Sequence, residues 1–343
     1  MNAGRRRREQ GRADRVLPGI WRLRLPLPWP GVPHVNAFAL AAEGGIVLVD
    51  SGMHEPGALE ELERALDQAG FSLDDVRLLV CTHAHTDHYG LAKLLVEATG
   101  CELWMHPAHD HMSKGAADPE RALERRIEVA RQSGVPLEPL RRWAEERKGQ
   151  SPGIAGVVLP DRELVDGVEI ETAAGPWTVY ETPGHAPSHV VLFQPRWRLL
   201  LSGDHVLGRV FLYFDYGWTP DPAAEFFASL DVVERLDARL CLPGHGRPFG
   251  AVQAHIDAHR AELRRRLEQT EAALAARTPT AYEVVSEVFG DELDPMMTSW
   301  LLTMVLCFLT HLERDGRAER VSPPSGSQEP ERWRTPAPTG AQR

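Results

Sequence analysis

The sequence predicts an α/β fold: a two-sheet sandwich flanked by helices, interrupted by a helical insertion and followed by a small, mostly helical module. Three observations carry that expectation. Strand-length apolar runs alternate with amphipathic helical stretches from about residue 16 to 250. Those runs end repeatedly in a turn that delivers a histidine or an aspartate, which gathers such residues along one rim of the sheets. Beyond Gly250 the hydrophobic period is helical.

Composition sets the bounds. A chain of 343 residues, 43% hydrophobic and 25% charged, is long enough to bury a large core and reads as globular. Its net charge of -11 argues against coating nucleic acid by charge alone. Cys81, Cys101, Cys241 and Cys307 are far apart in apolar runs, which points to reduced thiols and a cytoplasmic setting. Residues 1–15 carry Arg5-Arg6-Arg7-Arg8 with no apolar stretch after it, and read as a disordered arm rather than a targeting signal. The apolar run 300–309 is too short to cross a bilayer, so no membrane partner is expected.

Taken in order, strands are expected at 20–25 and 35–42, separated by the proline-rich 26–31. The turn at Gly44-Gly45 leads into 46–50, whose unbroken apolar character marks a buried strand. A helix over 57–69, a strand over 76–81, a helix over 89–98 and a strand over 102–106 follow. The charged segment 107–156 reads as a helical hairpin anchored by Leu137, Leu140 and Trp143, serving as a packing elaboration or a lid. Strands resume at 163–171 and 177–181, with a hairpin from 189–193 and 198–201. An aromatic loop, a helix over 222–236 and a strand over 239–242 complete a catalytic domain of residues 16–250. The module 251–321 holds helices 252–276, 281–289 and 296–313, with Thr280 capping the second and Gly316 ending the third. The Pro/Ser/Gly-rich residues 322–343 read as a disordered tail.

The chemistry concentrates in Cys81-Thr82-His83-Ala84-His85-Thr86-Asp87-His88. A strand ending in a tight turn throws alternate side chains the same way, so His83 and His85 can share one metal. Asp87 and His88, past the bend, then point at a neighbouring position. Imidazole is the commonest ligand for zinc-like ions, and a carboxylate beside it adds the charge a second cation needs.

This stretch occurs with Asp50 after its buried strand, Thr182-Pro183-Gly184-His185, Ser202-Gly203-Asp204-His205 and Pro243-Gly244-His245-Gly246. Together, over about residues 16–250, they resemble the metallo-β-lactamase superfamily, and within it the glyoxalase II-like branch. The resemblance implies an αββα sandwich with metals at one edge of the two sheets. It implies His83, His85 and His185 on a first metal, Asp87, His88 and His245 on a second, and Asp204 bridging both. Two Zn2+ per chain are the expected cofactors. Iron or manganese would also suit a set with only nitrogen and oxygen donors. Asp50 is expected to support the histidine loop without binding metal, and His205 to orient substrate. His54, His106, His109, His111 and His189 are expected off the metals. The implied nucleophile is a metal-bridging hydroxide, with Asp87 as proton shuttle.

Residues 278–284 and 311–317 resemble a winged-helix-like domain found on some glyoxalase II-like hydrolases, relatives of which cleave single-stranded RNA. Here the module is slightly acidic, although Arg260 and Arg264-Arg265-Arg266 offer a local stripe. Such a module more commonly completes a pocket wall or a homodimer interface. The expectation is therefore a dinuclear zinc hydrolase of a small acyl substrate: a thioester, ester or lactone. Phe211, Tyr213, Phe214, Tyr216 and Trp218 would wall its apolar pocket. The alternative is a phosphodiesterase or endoribonuclease acting on single-stranded RNA or a nucleotide, which a basic track into the cleft would favour. A third reading, a non-hydrolytic metalloprotein such as a persulfide oxygenase, is disfavoured by the full seven-ligand set.

Overall fold

A computed structural model describes residues 10–29, 31–290, 295–324 and 326–337. The first sheet contains β1 (Arg12–Leu17), β2 (Ile20–Trp29), β3 (Val32–Ala42), β4 (Gly45–Val49), β5 (Val76–Cys81), β6 (Glu102–Met105) and β7 (Arg162–Glu163), in that spatial order. It is antiparallel as far as β4 and parallel from there on. The second sheet contains β8 (Glu169–Ile170), β9 (Trp177–Glu181), β10 (Val190–Gln194), β11 (Leu199–Gly203) and β12 (Leu240–Pro243), ordered β12-β11-β10-β9-β8 with only β11 and β12 parallel. Helices α1 (Ala58–Ala69), α2 (Thr86–Tyr89) and α3 (Ala92–Thr99) join the strands of the first sheet. The insertion holds α4 (Asp110–Ala117), α5 (Pro119–Gln132) and α6 (Leu137–Arg147). Then come α7 (Pro222–Arg235), α8 (Val252–Ala275), α9 (Ala281–Phe289), α10 (Pro295–Arg314) and a hairpin of β13 (Glu319–Val321) and β14 (Arg332–Arg334).

Side-chain alternation turns this order into four layers. On β4, Ile46 and Leu48 face a core with Leu62, Leu66 and Leu95 of the adjoining helices. Val47 and Val49 face the opposite way, into a central core with Val190, Leu192, Leu199 and Leu201 of the second sheet. Val191 and Leu200 then face a third core built with α7 to α10. Strands buried on both faces must be apolar throughout, which is why the polar alternation of a surface strand is missing. On α8 the residues entering the third core, Val252, Ile256, Leu263, Leu267 and Leu274, follow the 3.6 period. The C-terminal helices therefore complete the outer layer of the second sheet.

The structure differs from the sequence expectation at several points. Arg12–Leu17 is an edge strand, so the arm expected over residues 1–15 does not extend this far; residues 1–9 lie outside the described set. Ion pairing holds that edge: Asp14 Oδ2 lies 2.6 Å from Arg22 Nη2 and 3.2 Å from Arg24 Nε. The proline-rich stretch continues β2 as far as Trp29 with an irregular register after Pro26. Residues 163–171 form two strands in different sheets, turned at Gly167 with φ 81. The insertion is three helices rather than a hairpin; Leu140 is buried but Leu137 is exposed. Within the expected tail, Arg332–Arg334 pairs with β13 and drives Trp333 into the third core; residues 338–343 lie outside the described set. No helix among the described residues is long and apolar enough to cross a membrane.

Candidate metal centre

Four strand ends deliver the motif residues to one rim: β5 leads to His83–His88, β9 to His185, β11 to Asp204 and β12 to His245. In the first group, His85 Nδ1 lies 3.0 Å from His83 Nε2 and 3.0 Å from His185 Nε2. In the second, Asp87 Oδ2 lies 3.6 Å from His88 Nε2 and 3.2 Å from His245 Nε2. Asp204 faces both groups: Oδ1 is 3.5 Å from His88 Nε2, while Oδ2 is 3.2 Å from His245 Nε2 and 3.8 Å from His185 Nε2.

The outward-facing nitrogen of each imidazole is tied down. A carboxylate only accepts, so the Asp50 contacts fix the donors around it. His88 Nδ1 donates to Asp50 Oδ2 at 2.8 Å, and the Thr82 hydroxyl donates to the same carboxylate. Thr82 Oγ1 is then left to accept from His83 Nδ1 at 3.0 Å. His185 Nδ1 donates to the Tyr213 carbonyl at 3.0 Å, and His245 Nδ1 to the His34 carbonyl at 3.1 Å. His85 Nε2 donates to Asp215 Oδ2 at 2.9 Å. Each bond selects the tautomer whose other nitrogen offers its lone pair inward.

Electrostatics divides the groups. Burial, reinforced by neighbouring imidazoles, drives His83 well below its usual range and His185 down to about 3. Burial would lower His88 and His245 too, yet the nearby carboxylates override it, raising His88 and carrying His245 to about 10. Burial would raise Asp204, but His245 and His88 hold it well below the carboxylate range.

A divalent cation fits what these residues leave unmet. Asp87 Oδ2, His88 Nε2 and Asp204 Oδ1 are buried without a hydrogen-bond partner among the described residues, a costly arrangement unless a ligand completes it. All the inward donors are nitrogen or oxygen, the set preferred by zinc, iron and manganese. Gly244 makes room for the cradle, since a Cβ there would sit 2.3 Å from Asp204 Oδ1 and 2.8 Å from His88 Cε1.

The seven motif side chains therefore converge, with Asp50 behind them. His205 does not join them: it is fully buried against Phe226, with ring centroids 4.6 Å apart. The aromatic loop also departs from a pocket wall. Phe214 is fully buried in the third core beside Phe226 and Phe308, and Tyr216 packs against that core. Tyr213 packs beside His85 and His185, Trp218 lies beside His111, and Phe211 is exposed.

Supporting residues stand behind the centre, among them His189, one of the histidines expected off the metals. His189 Nε2 accepts the Asp204 backbone N–H at 3.1 Å while Nδ1 bonds Thr182 Oγ1 at 2.8 Å. Asn36 donates to the carbonyls of Pro243 and Gly246, and Arg22 to that of Gly246, steadying the His245 loop from the other sheet. His259 on α8 accepts Leu207 N–H at 3.2 Å, just past Asp204. Asn36, a polar residue inside an apolar strand, was the one with a readable signal.

A family model described as the metallo-beta-lactamase superfamily matches residues 30–245. The chain belongs to this superfamily. It is 27% identical over 274 residues to the probable metallo-hydrolase YqjP of Bacillus subtilis (strain 168), covering 78% of this chain and 84% of that protein. It is 22% identical to the beta-lactamase-like protein 2 homolog of Caenorhabditis elegans, covering 75% of this chain and 71% of that protein. The crystal structure of a metallo-beta-lactamase family protein from Thermus thermophilus matches with a TM-score of 0.80 at 26% identity, covering 94% of this chain and 100% of that one. A beta-lactamase domain protein from Burkholderia ambifaria matches with a TM-score of 0.77 at 27% identity, covering 94% of this chain and 93% of that one. The layered sheets, the His/Asp cluster and the metallo-hydrolase relatives agree on a hydrolase fold with a divalent-metal site.

Proposed function

We propose that the chain is a dinuclear zinc hydrolase of a small acyl substrate: a thioester, ester or lactone. One observation carries the reading: five imidazoles and two carboxylates turn their free donor atoms inward, in two groups that share Asp204. His83, His85 and His185 would hold one ion, Asp87, His88 and His245 the other, and Asp204 both. Bound divalent ions supply Lewis acidity toward the substrate oxygen and lower the pKa of the attacking water toward about 7. With the ions bound, Asp87, buried beside His88 and His245, would orient that water and relay its proton. Tyr213 stays a neutral phenol, because burial raises it strongly, and so contributes shape beside His85 and His185.

The arginines of α8 support the acyl reading over the phosphodiester one. Arg260 is engaged by Asp231, Glu234 and Asp257, while Arg265 and Arg266 share Glu262. Arg264 lies over the Phe227 ring. Guanidinium groups already paired with carboxylates leave little open basic track for a phosphate chain, and the net charge is -11. Within the superfamily we assign the chain to the glyoxalase II-like hydrolases, with α8 to α10 and the β13–β14 hairpin as its winged-helix-like unit. Four buried free cysteines suit a cytoplasmic setting.

The test is a hydrolysis screen of zinc-loaded protein against thioesters, lactones, β-lactams, phosphodiesters and short RNA. Acyl turnover is expected, with Asp204→Ala and His83→Ala reduced to background. RNA cleavage that depends on both residues, without acyl turnover, would overturn the substrate class.

A further inference from the structure

We propose that the helical insertion is a fixed part of the metal centre: His111 on α4, together with Ser188, positions the first ligand turn by locking the outer side of His85 through Asp215. The proposal rests on the metal-centre reading above and concerns what orients its first group.

The contacts form a closed circuit. His111 Nδ1 lies 2.8 Å from Asp215 Oδ2, the same oxygen that takes His85 Nε2 at 2.9 Å. His111 Nε2 lies 2.8 Å from Ser188 Oγ. Ser188 Oγ accepts the N–H of Ala84 at 3.1 Å, and Ala84 stands between His83 and His85. The carboxylate only accepts, so His85 Nε2 donates to it, while His111 Nδ1 stands beside the same oxygen as a close polar contact without hydrogen-bond alignment. His111 then accepts the Ser188 hydroxyl proton at Nε2, which leaves the serine oxygen to receive Ala84. The His111 side chain is wholly buried, so the circuit is closed off on this side. His85, His111 and Asp215 also lie close enough to hold a cation of their own. The hydrogen bonds of His85 to Asp215, of Ser188 to His111 and of Ala84 to Ser188 make support of the ligand turn the better assignment.

The insertion is fastened on both sides of this circuit. The Arg125 guanidinium of α5 stacks 4.9 Å from the Trp218 ring, and its Nη2 donates to the Gly217 carbonyl. Near the end of α5, Ser133 and Gln132 accept the backbone N–H groups of Tyr282 and Glu331 from the C-terminal part of the chain. A lid that swung open would break these bonds and uncover His111. The geometry instead makes the insertion a buttress that reaches the ligands across long separations in sequence.

The test uses cadmium-113 NMR of the cadmium-loaded full chain, together with zinc affinity from chelator competition. His111→Ala and Ser188→Ala should move the resonance of the His83/His85/His185 ion and weaken that ion by about 10–100-fold, the usual range for lost outer support. His111→Asn keeps a donor toward Asp215 and should restore most of both readouts. His83→Ala is the control for the centre itself and should abolish that resonance. If His83→Ala abolishes it while well-folded His111→Ala and Ser188→Ala leave shift and affinity unchanged, the buttress is wrong and the centre stands. If His83→Ala leaves it unchanged, the metal-centre reading falls with it.

Discussion

At the scale of single residues, Asp50 shows how the centre is organised. It is a non-glycine residue with φ 63, a conformation held by its surroundings at a cost of about 1–3 kcal/mol. Its buried carboxylate accepts from Thr82 N, Thr82 Oγ1 and His88 Nδ1, and so sets one ligand in each group. Asp50→Ala should weaken both ions, by about 10–100-fold in chelator competition, while far-UV circular dichroism stays native. Unchanged affinity would show that the backbone alone positions His83 and His88. A second prediction concerns protons. Asp87 and Asp204 keep His88 raised and His245 near about 10, so both imidazoles carry protons at neutral pH before metal enters. Bound cations must displace them, so apparent affinity should rise with pH through neutrality toward about 10, where His245 loses its proton unaided. Calorimetry in buffers of different ionisation enthalpy should detect the released protons, and an affinity flat with pH would contradict this.

At the scale of elements, the sequence was most legible where one physical signal dominates. The apolar run 46–49 announced a buried strand, and Thr280 announced a helix start. That start is a capping box: Glu283 N–H donates to Thr280 Oγ1 at 3.2 Å, and Thr280 N–H to Glu283 Oε2 at 2.7 Å. Thr280→Ala should cost about 1 kcal/mol in denaturant unfolding with metal affinity unchanged. A loss well above that range would mean that Gly134, whose added Cβ would meet Thr280, depends on the same side chain for packing. Legibility failed where partners lie far off in sequence or leave no apolar trace. The edge strand β1 is held by Asp14 against Arg22 and Arg24, a pairing with no hydrophobic signature. Residues 163–171 looked like one strand because composition does not reveal that Gly167 turns the chain from one sheet to the other. The motif histidines stood out because four of the seven proposed ligands, His83, His85, Asp87 and His88, fall in one short stretch. Asp215, His111 and His189 are recognised only once the fold brings loops together.

Across the whole molecule, each layer reaches the same rim. The first sheet supplies Asp50 and the histidine turn, and the second supplies His185, Asp204 and His245. The insertion supplies His111, while α8 steadies the loop after Asp204 through His259. Leu200 of β11 and Leu263 of α8 belong to one third core, so the C-terminal helices pack directly on the second sheet. An aromatic loop reads as a pocket from composition. In the fold, Phe214 and Tyr216 instead fill space between the second sheet and the C-terminal helices, and Tyr213 lies beside His85 and His185. The account therefore depends on two cations sitting where the inward-facing donors converge. Anomalous diffraction at the zinc edge, from crystals of zinc-loaded protein, tests this directly. The account predicts two peaks about 3.5–4 Å apart, each about 2.0–2.2 Å from its nitrogen and oxygen donors, with Asp204 touching both. A single peak, or peaks away from His83, His85, His185, Asp87, His88 and His245, would contradict it.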